Sequence, residues 1–279
     1  MRQARWYRLL GSSPTGWILA VGVLGVALVG PWFAPYSPSE LVGTPYESPS
    51  AAYPLGTDFL GRDVLTRVLW GGRSMLFIGA VATGLAYGLG MVIGMIAGFR
   101  GGLADAALMR SIDNIIAFPP IILVLLFIAA FGSSTSLIIV ALTVVVTPSV
   151  ARLVRSATLE IAGRSYVEAA LVRGERATYI LVREILPNIA GSLLADVGIR
   201  FTATILLAAA LNFIGLGLQP PAADWALMIG ENRSAIVISP AAALVPAALI
   251  AVIAIAGTLI ADGIARIVGR LDRVERMRL

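Results

Sequence analysis

The 279-residue chain contains no cysteine and no histidine, and every one of its 21 basic residues is arginine, so lysine is missing as well. Without cysteine there can be no disulfide, no thiolate nucleophile and no thiolate metal ligand. Without histidine the chain lacks the commonest general base and the commonest metal ligand. Without lysine it can form no Schiff base. Arginine stays protonated at any working pH and cannot shuttle protons. Only a catalyst of carboxylates, serine and tyrosine would remain, so no catalytic residue and no metal site is assigned. The phosphate-binding pattern G-x-x-x-x-G-K-[ST] is also missing, so the chain does not itself bind ATP in that way.

Charge is the other scarcity. Asp, Glu, Lys and Arg make up 13% of the chain against 58% hydrophobic residues, with a mean hydropathy of +0.89. Soluble domains carry about 25% charged residues, so this chain cannot cover a water-facing surface. Apolar runs of roughly twenty residues point to membrane-spanning helices and not to a barrel of alternating strands. The formal charge of +5 bears on membrane orientation more than on nucleic acid.

The expected fold is all-α and polytopic, with six spans. The runs are 17–33, Met75 to Phe99, Ile115 to Phe131, Leu137 to Arg152, Leu193 to Ile214 and Ala241 to Ala261. The first follows Arg2, Arg5 and Arg8, and VGPWFAP offers no convincing cleavage site, so it reads as a retained span and not as a signal peptide. The second carries Gly79, Gly84, Gly88, Gly90, Gly94 and Gly98, spacings that let neighbouring helices approach closely. With a cytoplasmic N-terminus, the inner side holds Arg2, Arg5, Arg8, Arg100, Arg110, the group Arg152 to Arg183, and Arg266 to Arg278. The outer side then keeps Arg62, Arg67, Arg73 and Arg233, a positive-inside asymmetry that also returns the C-terminus to the cytoplasm. The resulting layout is a cytoplasmic segment 1–16, a first span 17–33 and an extracytoplasmic segment 34–74 with an interfacial helix. A core 75–265 with a cytoplasmic loop at about 152–190 follows, and then a cytoplasmic tail 266–279.

The loop is patterned. RSYVEAALVR, residues 164–173, places Val167, Ala170 and Leu171 on one side of a short amphipathic helix. Gly174 sits where a helix ends through a left-handed residue. A second helical piece, Glu175 to Leu186, groups Ala177, Ile180 and Leu181, and Pro187 stops it or begins the next span. Such a unit either lies on lipid headgroups through its arginines or docks a partner, with Ala169 and Ala170 leaving a shallow surface.

Three further segments carry charge. Residues 58–70 read as an interfacial helix with Asp58, Arg62, Asp63 and Arg67 on its polar side, where Asp58–Arg62 and Asp63–Arg67 ion pairs are available. Residues 215–233 read as a capping loop whose Trp225 suits a membrane interface. Asp196–Arg200 and Asp262–Arg266 read as structural pairs near a membrane boundary, where side chains reach water. Asp113 and Asn114, at the start of the third span, are open to a pathway or gating role.

Glu168-Ala169-Ala170, then Gly174, then Leu186-Pro187 resemble the EAA loop of ABC importer permeases, although Glu184 stands where that pattern usually has an aliphatic residue. PLGTDFLGRDVLTRVLWGGRSM (54–75), FRGGLADAALMRSIDNIIAFPP (99–120) and LNFIGLGLQPPAADWALMI (211–229) resemble permeases of the dipeptide, oligopeptide and nickel group, specifically the C-type subunit. The resemblance implies the six-span permease fold of type I importers in a bacterial or archaeal inner membrane. It implies one half of a translocation pore for di- or oligopeptides, paired with a B-type permease. It also implies two cytoplasmic ATPases that hold ATP and Mg, and an extracytoplasmic binding protein; this chain itself holds no cofactor and is not an enzyme.

For the residues, the resemblance implies ATPase coupling through Tyr166, Glu168, Ala169, Ala170, Arg173, Gly174, Leu186 and Pro187. It implies binding-protein docking through Asp224, Trp225, Glu231 and Arg233. A nickel chelate or another small solute is the alternative cargo. A stand-alone secondary transporter would need carboxylates deep in the bundle and often an internal repeat, and the spans hold almost none of the former.

Overall fold

The computed structural model describes residues 13–276, with side chains described through Ile267. Arg2, Arg5, Arg8 and Arg278 of the orientation argument lie outside the described residues, as does 1–12 of the N-terminal segment. Among the described residues the chain is helical, and the one isolated β-bridge joins Thr57 to Asp63.

Helix α1, Pro14–Val29, starts with a proline whose missing N–H costs nothing in the first turn, and it tightens into a 3₁₀ turn at Gly30–Phe33. Its last carbonyls are met from another helix: Arg73 donates to Ala27 O at 3.3 Å and to Leu28 O at 2.7 Å. Helix α2, Val64–Arg100, begins where Asp63 Oδ2 accepts the Thr66 amide at 2.7 Å. At about 1.5 Å per residue it is about 55 Å long, well beyond a hydrocarbon core of about 30 Å. The expected interfacial helix at 58–70 is therefore not separate: its second half is the first two turns of α2, and residues before Val64 are irregular.

The third span also departs from the reading. Helix α3, Gly102–Ile116, and helix α4, Pro120–Phe131, meet at 85°. Pro119 and Pro120 forbid a straight helix through this point, because each proline pushes the residue before it out of the α region. At 12 residues α4 is too short to cross alone. Among the described residues five helices are long and apolar enough to span, or six if this bent pair counts as one.

Helix α5, Thr135–Ala162, runs a further ten residues past the expected end at Arg152. Helix α6, Ser165–Val172, forms the loop; a turn at Ala177–Tyr179 and a π-helical stretch at Ile180–Ile185 lead into α7, Leu186–Phe213. Helix α8, Trp225–Asn232, and α9, Pro240–Arg276, follow, and α9 continues as far as Arg276 into the residues expected as a tail.

The glycines of α2 divide cleanly. A Cβ on Gly94 would stand 2.5 Å from the Ala151 carbonyl oxygen, on Gly90 2.7 Å from Val150 Cβ, and on Gly98 2.8 Å from the Arg155 carbonyl oxygen. These three bring α2 and α5 to backbone distance. Gly79 meets Ile205 of α7 in the same way, whereas Gly84 and Gly88 face open space. Helices in lipid gain little from the hydrophobic effect, so such close van der Waals contact holds them together. Gly94→Ala should lower stability by about 1–3 kcal/mol through overpacking against a backbone atom. Gly88→Ala should leave it unchanged or raise it by up to about 1 kcal/mol. Thermal unfolding of the purified variants in detergent checks both.

Candidate functional site

The loop unit is built on two buried residues. Val167 and Ala170 of α6 are fully buried against Val150 and Val154 of α5 and against Ile180, Ile185 and Ile189. The opposite face presents Tyr166, Glu168, Ala169, Leu171, Val172 and Arg173, with Val172 88% exposed. Two details of the reading are corrected. Leu171 turns outward and is half exposed, and Ala170 is an internal packing residue, so Ala169 alone of the pair forms the shallow surface.

Helix α6 ends in a Schellman motif. Gly174 adopts φ +77°, its amide donates to Leu171 O at 2.9 Å, and the Glu175 amide donates to Ala170 O at 3.2 Å. Glycine is required here by its conformation and not by crowding, since nothing lies near the position a Cβ would take. Beyond it, Ala177 is exposed and does not share the buried side with Ile180. Pro187 does not stop the helix. The ladder has widened just before it, with the Leu186 amide donating to Leu181 O, five residues back. That shift accommodates a residue without an N–H, and the chain from Ala177 to Phe213 is continuous. Leu186 and Pro187 therefore set the path of α7, while an open groove along Gly174, Arg176, Tyr179, Val182 and Arg183 flanks the exposed face of α6.

At the other end of the bundle, residues expected as docking contacts are buried. Asp224 has no exposed surface; it caps α8 through the amides of Ala226 and Leu227 and receives Asn212 Nδ2 at 2.8 Å and Ser74 Oγ at 3.1 Å. Burial pushes its carboxyl above the usual range, and those four donors pull it back. It ties α2, α7 and α8 together. Trp225 is likewise fully buried: its Nε1 donates to Val68 O at 2.8 Å, and its ring fills the space left by Gly71 and Gly72. Trp225 is a core residue and not an interface anchor. Of the four, Arg233 is exposed, stacked 5.5 Å from the Phe213 ring.

Glu231 belongs to a cluster that the sequence did not expose. Asp58 accepts from Arg62 Nε at 2.7 Å and from Arg67, while Glu231 Oε2 accepts from Arg62 at 3.1 Å and from Arg67 at 2.8 Å. Arg67 also reaches Ala222 O. Both arginines and Asp58 are at most 2% exposed, so this is a neutral, buried set of two cations and two anions. The Asp58–Arg62 pair was expected, but on a solvated helix face. Arg67 does not pair with Asp63, whose carboxylate is occupied in capping α2. Glu231→Ala would leave one positive charge of the buried cluster uncompensated, and breaking a buried pair costs about 3–5 kcal/mol. Thermal unfolding should show that loss, whereas Arg233→Ala should cost no more than about 1 kcal/mol.

Further ion pairs join α3 to α5 and lie within α7. Asp113 pairs with Arg152 of α5 at 2.6 Å in an exposed contact, and Asn114 is exposed beside it. Asp105 binds Arg155 through both carboxylate oxygens, so α3 is held to α5 at two points. Asp196 and Arg200 pair at 3.1 Å, but in the middle of α7 and not near its start. Among the described residues no group of three or more Asp or Glu is placed to hold a metal ion.

Residues 90–273 match the family model described as a binding-protein-dependent transport system inner membrane component. The glutathione transport system permease protein GsiD of Pectobacterium atrosepticum is 38% identical over 218 residues, covering 78% of this chain and 72% of the relative. GsiD of Escherichia coli is 34% identical over 264 residues, covering 93% and 86%. Among solved structures, the inward-facing MetNI methionine ABC transporter matches with a TM-score of 0.55 at 21% identity, over 72% of this chain and 96% of that one. The last likeness shows the fold, and the first three the kinship: the chain belongs to the inner membrane components of binding-protein-dependent transport systems, the permease subunits of ABC importers.

Proposed function

We propose that this permease forms one half of a pore for small peptides of the glutathione type, and that α6 is where an ATPase subunit drives it. The glutathione permeases among its relatives support the cargo class. The observation that carries the coupling role is the division of α6. Val167 and Ala170 bind it into the bundle, while Glu168, Ala169, Val172 and Arg173 are exposed on its outer face. A push on that face reaches α5 and α7 through packed side chains.

The partner subunits would then be two cytoplasmic ATPases holding ATP and Mg, a homologous B-type permease and an extracytoplasmic binding protein. Closure of the ATPases would shift the bundle between its two openings through differential binding. The arginine distribution supports a cytoplasmic loop end. The binding protein would meet that opposite end, with Arg233 the accessible residue of the four expected there. Asp113 with Arg152 would form a contact between α3 and α5 that changes as the pore opens, beside Asn114.

The test is uptake by the reconstituted importer of peptides, glutathione included, beside a nickel chelate. Glu168→Arg should abolish ATP-driven uptake by at least tenfold and release the ATPases on affinity purification. Val172→Asp should do the same, and both variants should unfold at the temperature of the unaltered protein because both sites are exposed. ATP-driven uptake left intact in both would remove α6 from the coupling path. Uptake of the nickel chelate in place of peptides would replace the cargo.

A further inference from the structure

Several arginines of this protein bond acceptors through their Nη atoms, although Nε of Arg67 is buried without one. Arg155 uses Nε and Nη2 on Asp105; Arg67 bonds two carboxylates and a carbonyl; Arg73 bonds two helix-end carbonyls. Arg200 differs. Its Nε donates to Asp196 Oδ2 at 3.1 Å, and the same oxygen accepts the Tyr87 hydroxyl of α2 at 2.7 Å. No acceptor among the described residues meets its Nη1 or Nη2. The side chain is 31% exposed, against 15% for Asp196.

Position makes this costly. Arg200 falls at the middle of Leu186–Phe213, about 20 Å from either helix end at about 1.5 Å per residue. The apolar sequence of α7 continues on both sides of it. Ionisable residues within membrane-spanning helices face a bundle interior or a water-filled path and mark routes of substrates or ions. Asp196 and Tyr87 fix the Nε edge of the guanidinium and leave the other edge, a planar fork of two nitrogens, open. That fork matches the two oxygens of a carboxylate.

We infer that Arg200 is a cargo-binding residue, whose free Nη edge takes the carboxylate of the transported peptide as it passes the middle of the bundle. The assignment rests on the peptide-cargo reading above. Asp196 and Tyr87 are positioning residues: they orient the guanidinium and reduce its net charge, so that a cargo carboxylate is held without being trapped.

The assembled importer in proteoliposomes tests this with di- and tripeptides of neutral residues, supplied as free acids and as C-terminal amides, beside glutathione. Arg200→Gln should lower uptake of the free acids at least tenfold, mainly through KM, and change uptake of the amides less than twofold. Arg200→Lys should recover part of the acid uptake. Equal losses for acids and amides would overturn the assignment. So would loss of the second permease from the purified Arg200→Gln complex, which would place the guanidinium at the subunit contact. If the unaltered importer takes up none of the peptides, the cargo reading falls and this assignment with it. If it takes them up and Arg200→Gln does not discriminate, this assignment alone falls.

Discussion

The Ala151 carbonyl of α5 occupies the space that a side chain on Gly94 of α2 would need. Gly90 and Gly98, a turn to either side, repeat the contact, so two long helices touch along a seam with backbone against backbone. In lipid, where apolar surface gains little by leaving its surroundings, contact density decides which helices stay together. Much of the remaining architecture hangs on this seam. Helix α5 carries Val150 and Val154 to the place where Val167 and Ala170 of the loop helix pack, and α2 carries Tyr87 to Asp196 of α7. Had α2 stood further from α5, neither the loop helix nor the polar group in the middle of α7 would find its partners.

Arginine meets three different fates along this scaffold, and the differences follow from what surrounds it. At the end bearing α8, Arg62 and Arg67 are wholly buried with Asp58 and Glu231, and the charges cancel. Such a cluster contributes little net stability against apolar packing of the same volume, but it fixes which surfaces meet, because any other arrangement strands a charge. At the loop end, Arg173, Arg176 and Arg183 are exposed beside Leu171, Val172, Tyr179 and Val182. A mixed apolar and basic surface of this kind suits a protein partner with an acidic rim more than it suits bulk water. In the middle of α7, Arg200 is held along one edge only. The same side chain thus acts as a structural lock, an exposed contact and a half-satisfied fork.

Legibility in the sequence followed the same physics. Apolar runs do not depend on tertiary contacts, and each span read from them overlaps a helix, although α2, α5, α7 and α9 extend well beyond those spans and Pro119 and Pro120 bend the third by 85°. The Schellman turn was legible because a lone Gly174 after an amphipathic run has few other uses. Burial was not legible. The alternation of charges in DFLGRDVLTR describes an exposed helix face as well as a buried ion cluster, and only the distant Glu231 decides between them. Trp225 fits a membrane interface by type, yet the Gly71-Gly72 pair that receives its ring lies about 150 residues earlier in the chain. Pairings of that separation leave no local pattern. The Asp196–Arg200 spacing was visible, but its depth in the membrane depended on how far α7 extends past Pro187.

That extension has a mechanical consequence. Ala177 to Phe213 is one continuous helix, so the surface beside the α6 hinge and the guanidinium midway along α7 ride on the same rod. The rod has one soft point between them, the π turn at Ile180–Ile185, where the hydrogen-bond ladder is widened and Pro187 supplies no N–H to restore it. Ile180 and Ile185 are nevertheless fully buried, packed against the same cluster that seats Val167 and Ala170. The π turn and α6 therefore share one set of packing contacts. On the coupling proposed for α6, displacement of the loop helix would bear on α7, and the nearest polar contact it would disturb on the facing helix is the Tyr87–Asp196 bond that orients Arg200.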